Sequence, residues 1–216
     1  MEPASRRFLF LYSFCMSWIK TIDYPEADKN LKRTYDRVKG PDDNVDNVLL
    51  VHSLRPHTLT GHMTLYKSVL HNSNNTLPKW YLEAIGVYVS YLNKCDYCVQ
   101  HHFAGFSRLI HDTKKAAKFF EQIKNDTVTT FFDDHFADGM QYAQKLTQAH
   151  DTITETDIID LRSSGFSDGE ILEINQVTSY FCYVNRMVVG LGVNTDGDII
   201  GLSPNNSDDP KNWSHS

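Results

Sequence analysis

Two cysteines three positions apart, Cys95 and Cys98, share a window of about 20 residues with Glu83, His101 and His102. A thiol reacts as its thiolate, and a C-x-x-C spacing brings a second thiol close enough to attack a sulfenic acid or mixed disulfide on the first. With Asp96 as an N-cap, Cys98 falls in the first turn of a helix, where free N–H groups and the helix dipole favour a thiolate. His102 lies four positions further along the same helical face and can hold or relay a proton near the thiol. Glu83 precedes them in a segment that is otherwise apolar, and burial of a carboxyl there favours its neutral form and suits it to acid–base work.

Each residue also has a plainer reading. The cysteines can be two small buried hydrophobes, the glutamate can be satisfied by a tyrosine or arginine, and the histidine can be structural. Cys95, Cys98, His101 and His102 are all competent zinc ligands. Adjacent histidines on a helix diverge by about 100°, however, and no second C-x-x-C or H-x-x-x-H follows, so a zinc-stabilised domain is a weaker alternative.

The elements that must carry these residues are helical nearly throughout. Expected helices span 25–38, 43–53, 57–71, 79–93, 96–110, 113–124, 127–149 and 154–164, with a last one over 171–189. The capping-box residues Ser167 and Glu170 launch that last helix, and Gly190 and Gly192 stop it. The helix over 79–93 is apolar on almost every side, which marks it as buried. Its exceptions, Glu83, Gly86, Ser90 and Asn93, form one narrow stripe that either faces a pocket or lets a neighbouring helix approach closely. The basic helix 113–124 reads as a solvated face. Cys182, in an apolar helix, reads as a buried hydrophobe, and Asn185-Arg186 as candidates for the pocket or an interface.

Composition sets the outer limits. The 216 residues suffice for one domain with a sizeable core. A net charge of −6 with no basic block argues against a nucleic-acid partner. No apolar run is long enough to span a bilayer, so no membrane role is expected. Four cysteines, Cys15 included, are too few and too uneven for a secreted disulfide framework, and the expected location is cytoplasmic. Arg6-Arg7 followed by an apolar stretch has something of a signal peptide, but no small-x-small cleavage site follows. Residues 1–15 therefore read as an N-terminal extension, 16–193 as the helical domain, and 194–216, rich in Asn, Asp, Ser and Pro, as a loose tail.

Glu83, eleven residues, then Cys95-x-x-Cys98, three residues and His102 resembles the active-site pattern of alkylhydroperoxidase D and its relatives in the carboxymuconolactone decarboxylase-like superfamily. Val89-Ser90, Asn93 and Tyr97 around the cysteines are similar to the subgroup of peroxidase-related enzymes. Met16-Ser17-Trp18-Ile19-Lys20, Gly165-Phe166-Ser167-Asp168 and Val184-Asn185-Arg186 extend the likeness over roughly 16–193. The resemblance implies an all-α, compact multi-helix domain, homo-oligomeric as a trimer or hexamer, with no organic cofactor. It implies a hydroperoxide substrate and an external dithiol reductant. It makes Cys98 the attacking thiol, Cys95 the resolving one, and Glu83 with His102 a proton relay. One departure stands out: alkylhydroperoxidase D has a histidine next to its second cysteine, where this chain has Tyr97, and a phenol cannot serve as a neutral-pH base. A redox-responsive oligomeric protein on the same fold, with little turnover, is the alternative.

Overall fold

A computed structural model describes residues 16–40, 44–132 and 135–201. The proposed extension 1–15, with Cys15, and residues 202–216 of the expected tail lie outside the described residues. Among the described residues there are nine α-helices and no strand. They are α1 (Lys29–Tyr35), α2 (Asn47–Leu50), α3 (Pro56–Tyr66), α4 (Lys79–Leu92), α5 (Asp96–Leu109), α6 (Thr113–Lys124), α7 (Phe136–Gln148), α8 (Glu155–Ser163) and α9 (Asp168–Gly190).

The apolar character of α4 has the consequence expected of it. Every residue from Tyr81 to Ser90 is buried, and α5, α7 and α9 pack around it. A second, smaller core joins Leu31 and Tyr35 of α1 to Leu49 of α2 and Leu59 and Met63 of α3. The helix starts follow local chemistry. Asp28 caps α1 by accepting from Leu31 N, and Asp112 caps α6 by accepting from Lys114 N and Lys115 N. Ser167 and Glu170 make the anticipated reciprocal capping box of α9. The carboxylate of Glu173, in the second turn of α9, accepts from Thr76 N at 2.8 Å and Leu77 N at 2.9 Å, fixing the loop that feeds α4.

Three expected elements change form. The segment 25–38 becomes a 3₁₀ turn (Tyr24–Glu26) followed by the short α1, because Asp28 restarts the helix. The expected helix 57–71 is α from Pro56 to Tyr66 and then a π-helical turn over Lys67–His71. The expected long helix 127–149 divides into a 3₁₀ turn (Val128–Phe131) and α7. Phe131 and Phe132 turn inward there to pack on Phe119 and on Trp80 and Tyr81, which a continuous helix would not allow.

The beginning of the expected loose tail is anchored. Asn194 N donates to Met16 O, and the Asn47 side chain donates to the carbonyls of Asn194 and Asp196. No helix among the described residues is long and apolar enough to cross a membrane.

Candidate active site

The turn between α4 and α5 sets the cysteines. Lys94 adopts a left-handed φ of 56°, and Cys95 N reaches back to Ser90 O at 2.9 Å, closing the end of α4. Cys95 itself, not Asp96, is the N-cap of α5, so Asp96 is the first helical residue and Cys98 the third. Both thiols are buried, at 1% and 3% exposure, and their sulfurs share a hydrogen bond at 2.8 Å.

Electrostatics divide the pair. Burial pushes the Cys98 thiol well above its ordinary range, and the hydrogen bond with Cys95 adds to the effect. The same hydrogen bond lowers the Cys95 thiol. Cys95 Sγ is the donor and Cys98 Sγ the acceptor of that hydrogen bond, and burial leaves Cys98 the harder of the two to ionise. The helix N-terminus is expected to favour a thiolate on Cys98; burial, the larger influence, pushes that thiol up instead. The Asn185 amide of α9 faces both thiols and favours the charged form of each.

Glu83 projects from α4 to α5, where His102 Nδ1 lies 2.7 Å from its Oε2. The carboxyl is 1% exposed, and its other oxygen, Oε1, has no hydrogen-bond partner among the described residues. A carboxylate in this position fixes the imidazole's orientation and tautomer, leaving Nε2 to exchange protons. The four anticipated residues therefore form two pairs. No hydrogen bond joins either thiol to Glu83 or His102. Burial, with the charges of Tyr66, Cys98, Tyr183 and Glu83 added, holds the Tyr180 phenol of α9 well above its ordinary range.

Of the two purposes weighed for the stripe on α4, the structure shows the close approach of a neighbouring helix. A Cβ on Gly86 would stand 2.3 Å from the Phe181 ring, so this glycine admits α9. Ser90 Oγ accepts from Asn185 Nδ2 and Asn93 Nδ2 donates to Asn185 Oδ1, each at 3.0 Å, which aims that amide at the cysteines. Cys182, expected to be a plain buried hydrophobe, is only partly buried and lies 3.7 Å from Asn93 Nδ2 and 3.8 Å from Thr147 Oγ1.

Tyr97 and His101 turn away from the thiols. The Tyr97 hydroxyl donates to Asp198 Oδ2 at 2.6 Å and accepts from Val48 N, and its ring stacks on His101. His101 Nε2 lies 3.3 Å from Asp198 Oδ2. The four zinc-competent side chains thus do not converge, and no group of three or more His, Cys, Asp or Glu among the described residues is placed to hold a metal.

Sequence reasoning missed Tyr66, Tyr180 and Arg108. Tyr66 packs its ring against His102 and Tyr180 at the start of the π-helical turn. The guanidinium of Arg108, lowered by burial, is supported by the charge of Glu83. Tyr180 had a signal in the aromatic richness of α9, whereas Tyr66 and Arg108 had none, because their approach depends on how distant helices cross.

No protein-family model matches the chain, and no curated protein matches it. Solved structures do. The alkylhydroperoxidase AhpD core, an uncharacterized peroxidase-related protein from Ralstonia eutropha JMP134, superposes with a TM-score of 0.71 at 22% identity, over 84% of this chain and 93% of that one. An uncharacterized peroxidase-related protein from Silicibacter sp. TM1040 gives 0.65 at 26% identity, over 82% and 94%. The debrominase Bmp8 gives 0.65 at 16% identity, over 82% and 91%. The chain is built on the alkylhydroperoxidase D-like fold, and the solved structures it resembles include two peroxidase-related proteins.

Proposed function

We propose that this chain reduces hydroperoxides at the expense of an external dithiol, through a Cys95/Cys98 couple served by a Glu83/His102 proton relay. The observation that carries the reading is the 2.8 Å separation of the two sulfurs, one an N-cap and the other in the first turn of the same helix. In the first step the Cys98 thiolate attacks the outer peroxide oxygen and the O–O bond breaks. The alcohol leaves with a proton, and Cys98 becomes a sulfenic acid. Cys95 then attacks that sulfur, forming the disulfide and releasing water, and the external dithiol reduces the disulfide by exchange. Cys98 is a buried thiol of raised pKa, so its proton must be taken by a base. Cys95 is the nearest acceptor, and the Glu83–His102 pair is the next reservoir.

The test is to mix the reduced protein with a slight excess of cumene hydroperoxide and follow its mass. Wild type should lose about two mass units quickly, as a disulfide forms, and Cys95→Ser should trap an oxygen adduct of about 16 units on Cys98. Thiol loss from Cys98→Ser at the wild-type rate would overturn the assignment. An adduct trapped in Cys98→Ser and not in Cys95→Ser would reverse the order of the thiols.

A redox-responsive protein with little turnover is the second reading. It is favoured by the burial of both thiols and by Tyr97, locked to Asp198 in the place where alkylhydroperoxidase D has a histidine. Thiol loss no faster than that of a free thiol would select it. We assign either activity to a homo-oligomer, a trimer or hexamer, for which the exposed Leu172, Tyr183 and Val189 of α9 supply apolar surface.

A further inference from the structure

Tyr97, His101, Ala104 and Arg108 fall at intervals of four, three and four, which sets them along one face of α5. Cys98 and His102 each follow one position later, on the neighbouring stripe. Part of the expected loose tail lies against that face. Asp198 meets it at Tyr97 and His101. Gly201 meets it further along, where a Cβ would stand 2.4 Å from the Ala104 Cβ and 3.0 Å from Arg108 Nη1.

Asp198 is unusual for a surface segment. Asp196, Gly197, Ile199 and Ile200 around it are exposed, yet its own side chain is only 2% exposed. Its two oxygens have separate duties. Oδ1 accepts from Asn47 N at 2.9 Å, at the start of α2. Oδ2 accepts from the Tyr97 hydroxyl at 2.6 Å and lies 3.3 Å from His101 Nε2. The Tyr97 oxygen in turn accepts from Val48 N at 3.1 Å. Burial and the charge of Asp198 hold this phenol well above its ordinary range, so it keeps the proton it donates. The Asn47 amide pins the same segment through the carbonyls of Asn194 and Asp196. One buried carboxylate thus joins the start of α2, the first turns of α5 and the C-terminal segment.

Helices fray from their ends. The end in question carries Cys95 as N-cap and Cys98 as third residue, with Tyr97 between them. If that turn were free, the sulfurs could separate, and closing a disulfide would have to withdraw the freedom. Where the turn is held and the sulfurs stand 2.8 Å apart, the cost is met in advance. We propose that Asp198 is a positioning residue for the redox pair, acting through the Tyr97 hydroxyl to hold the first turn of α5 and favour the Cys95–Cys98 disulfide. The role rests on the proposed dithiol couple. By linkage, closing the disulfide strengthens the hold of the C-terminal segment in return.

Equilibration of the full chain with mixtures of reduced and oxidised glutathione, read by mass spectrometry after alkylation, tests the role. One glutathione disulfide takes two electrons and two protons from Cys95 and Cys98, leaving their disulfide and two glutathione thiols. Tyr97→Phe keeps the ring that stacks on His101 and removes the hydroxyl. Asp198→Ala removes the carboxylate. Asp196→Ala, at the exposed position two residues earlier, removes an equal charge as a control. Tyr97→Phe and Asp198→Ala should each lower the equilibrium constant for disulfide formation about tenfold, which makes the potential about 30 mV less negative. The double variant should go no further than Asp198→Ala, because both changes break one bond. Asp196→Ala should match wild type. Circular dichroism matching wild type shows that each variant is folded. An unmoved constant in both single variants, additive shifts in the double variant, or an equal shift in Asp196→Ala would overturn the role of Asp198 and leave the couple in place. No Cys95–Cys98 disulfide in wild type at any glutathione ratio would overturn the couple, and the role with it.

Discussion

At the scale of single residues, the chemistry turns on a carboxyl group with one oxygen committed and one free. Glu83 Oε2 holds His102 at 2.7 Å, and Oε1 has no hydrogen-bond partner among the described residues. Glu83→Gln keeps the shape and still offers an oxygen to the Nδ1–H, but it removes the charge that stabilises an imidazolium and the capacity to store a proton. Under the proposed mechanism, turnover of cumene hydroperoxide with excess dithiol should fall by about 10²–10⁴-fold, while disulfide reduction by the dithiol alone changes little. An unchanged turnover would remove the relay from the mechanism and leave the cysteines to act by themselves. The four candidate residues could be picked out in the sequence because three of them lie within about two turns at the start of α5, and Glu83 is the single carboxylate in an apolar helix. Their division into two pairs was not legible. That depends on the angle at which α4 and α5 meet, and on Asn185 and Tyr180, which arrive from nearly 100 positions away. The burial that raises the Cys98 thiol was not legible for a related reason: spacing reveals a helix terminus, but not how completely other helices cover it.

At the scale of elements, the seam between α4 and α9 decides whether Asn185 reaches the thiols. Gly86 lets the Phe181 ring lie against the α4 backbone, and Phe181 in turn packs edge-on against His102 at 4.6 Å. Gly86→Ala should destabilise the fold by about 1–3 kcal/mol, since overpacking outweighs the gain in helix propensity. Gly61 offers the control. It sits within α3, and a Cβ there meets nothing within 4 Å, so Gly61→Ala should stabilise by about 0.5–1 kcal/mol. Chemical denaturation of the two variants measures both. Equal, positive effects would mean that the seam relaxes to admit a methyl group. Helix identity was largely readable because buried and capped segments announce themselves by apolar content and by residues such as Asp112 and Ser167. Breaks inside expected helices were not. Phe131 and Phe132 suit a helix by local propensity, and only the aromatic space beside Trp80, Tyr81 and Phe119 favours the interruption.

At the scale of the whole molecule, the segment around Asp198 closes back on Tyr97, one of the two residues between the cysteines. Asp198 accepts from the Tyr97 hydroxyl and from Asn47 N, and a second carboxyl, Asp46, stands close by. Burial and the charge of Asp198 raise Asp46 to about 6, against partial relief from His101 and Asn44. An acid whose pKa is higher in the folded chain binds its proton more tightly there. The stabilisation is complete below about pH 4, where the unfolded chain is also protonated, and is lost as pH rises through about 6. Asn at this position mimics the protonated form at every pH. Asp46→Asn should therefore unfold at the same temperature as wild type near pH 4, and roughly 2–8 °C higher at pH 7.5, a gap on the order of 1–3 kcal/mol. Other groups titrate in the same range with the opposite sign. His62, driven down to about 3 by burial and by His52, loses its contribution as pH falls below the ordinary histidine range. That loss is common to both proteins, so the difference between their melting temperatures isolates Asp46. A gap that stays constant from pH 4 to 7.5 would show that the variant acts through packing alone. A lower melting temperature at pH 7.5 would mean that the Asp46 carboxylate helps to hold His101, and with it the closure over Tyr97, more than it repels Asp198.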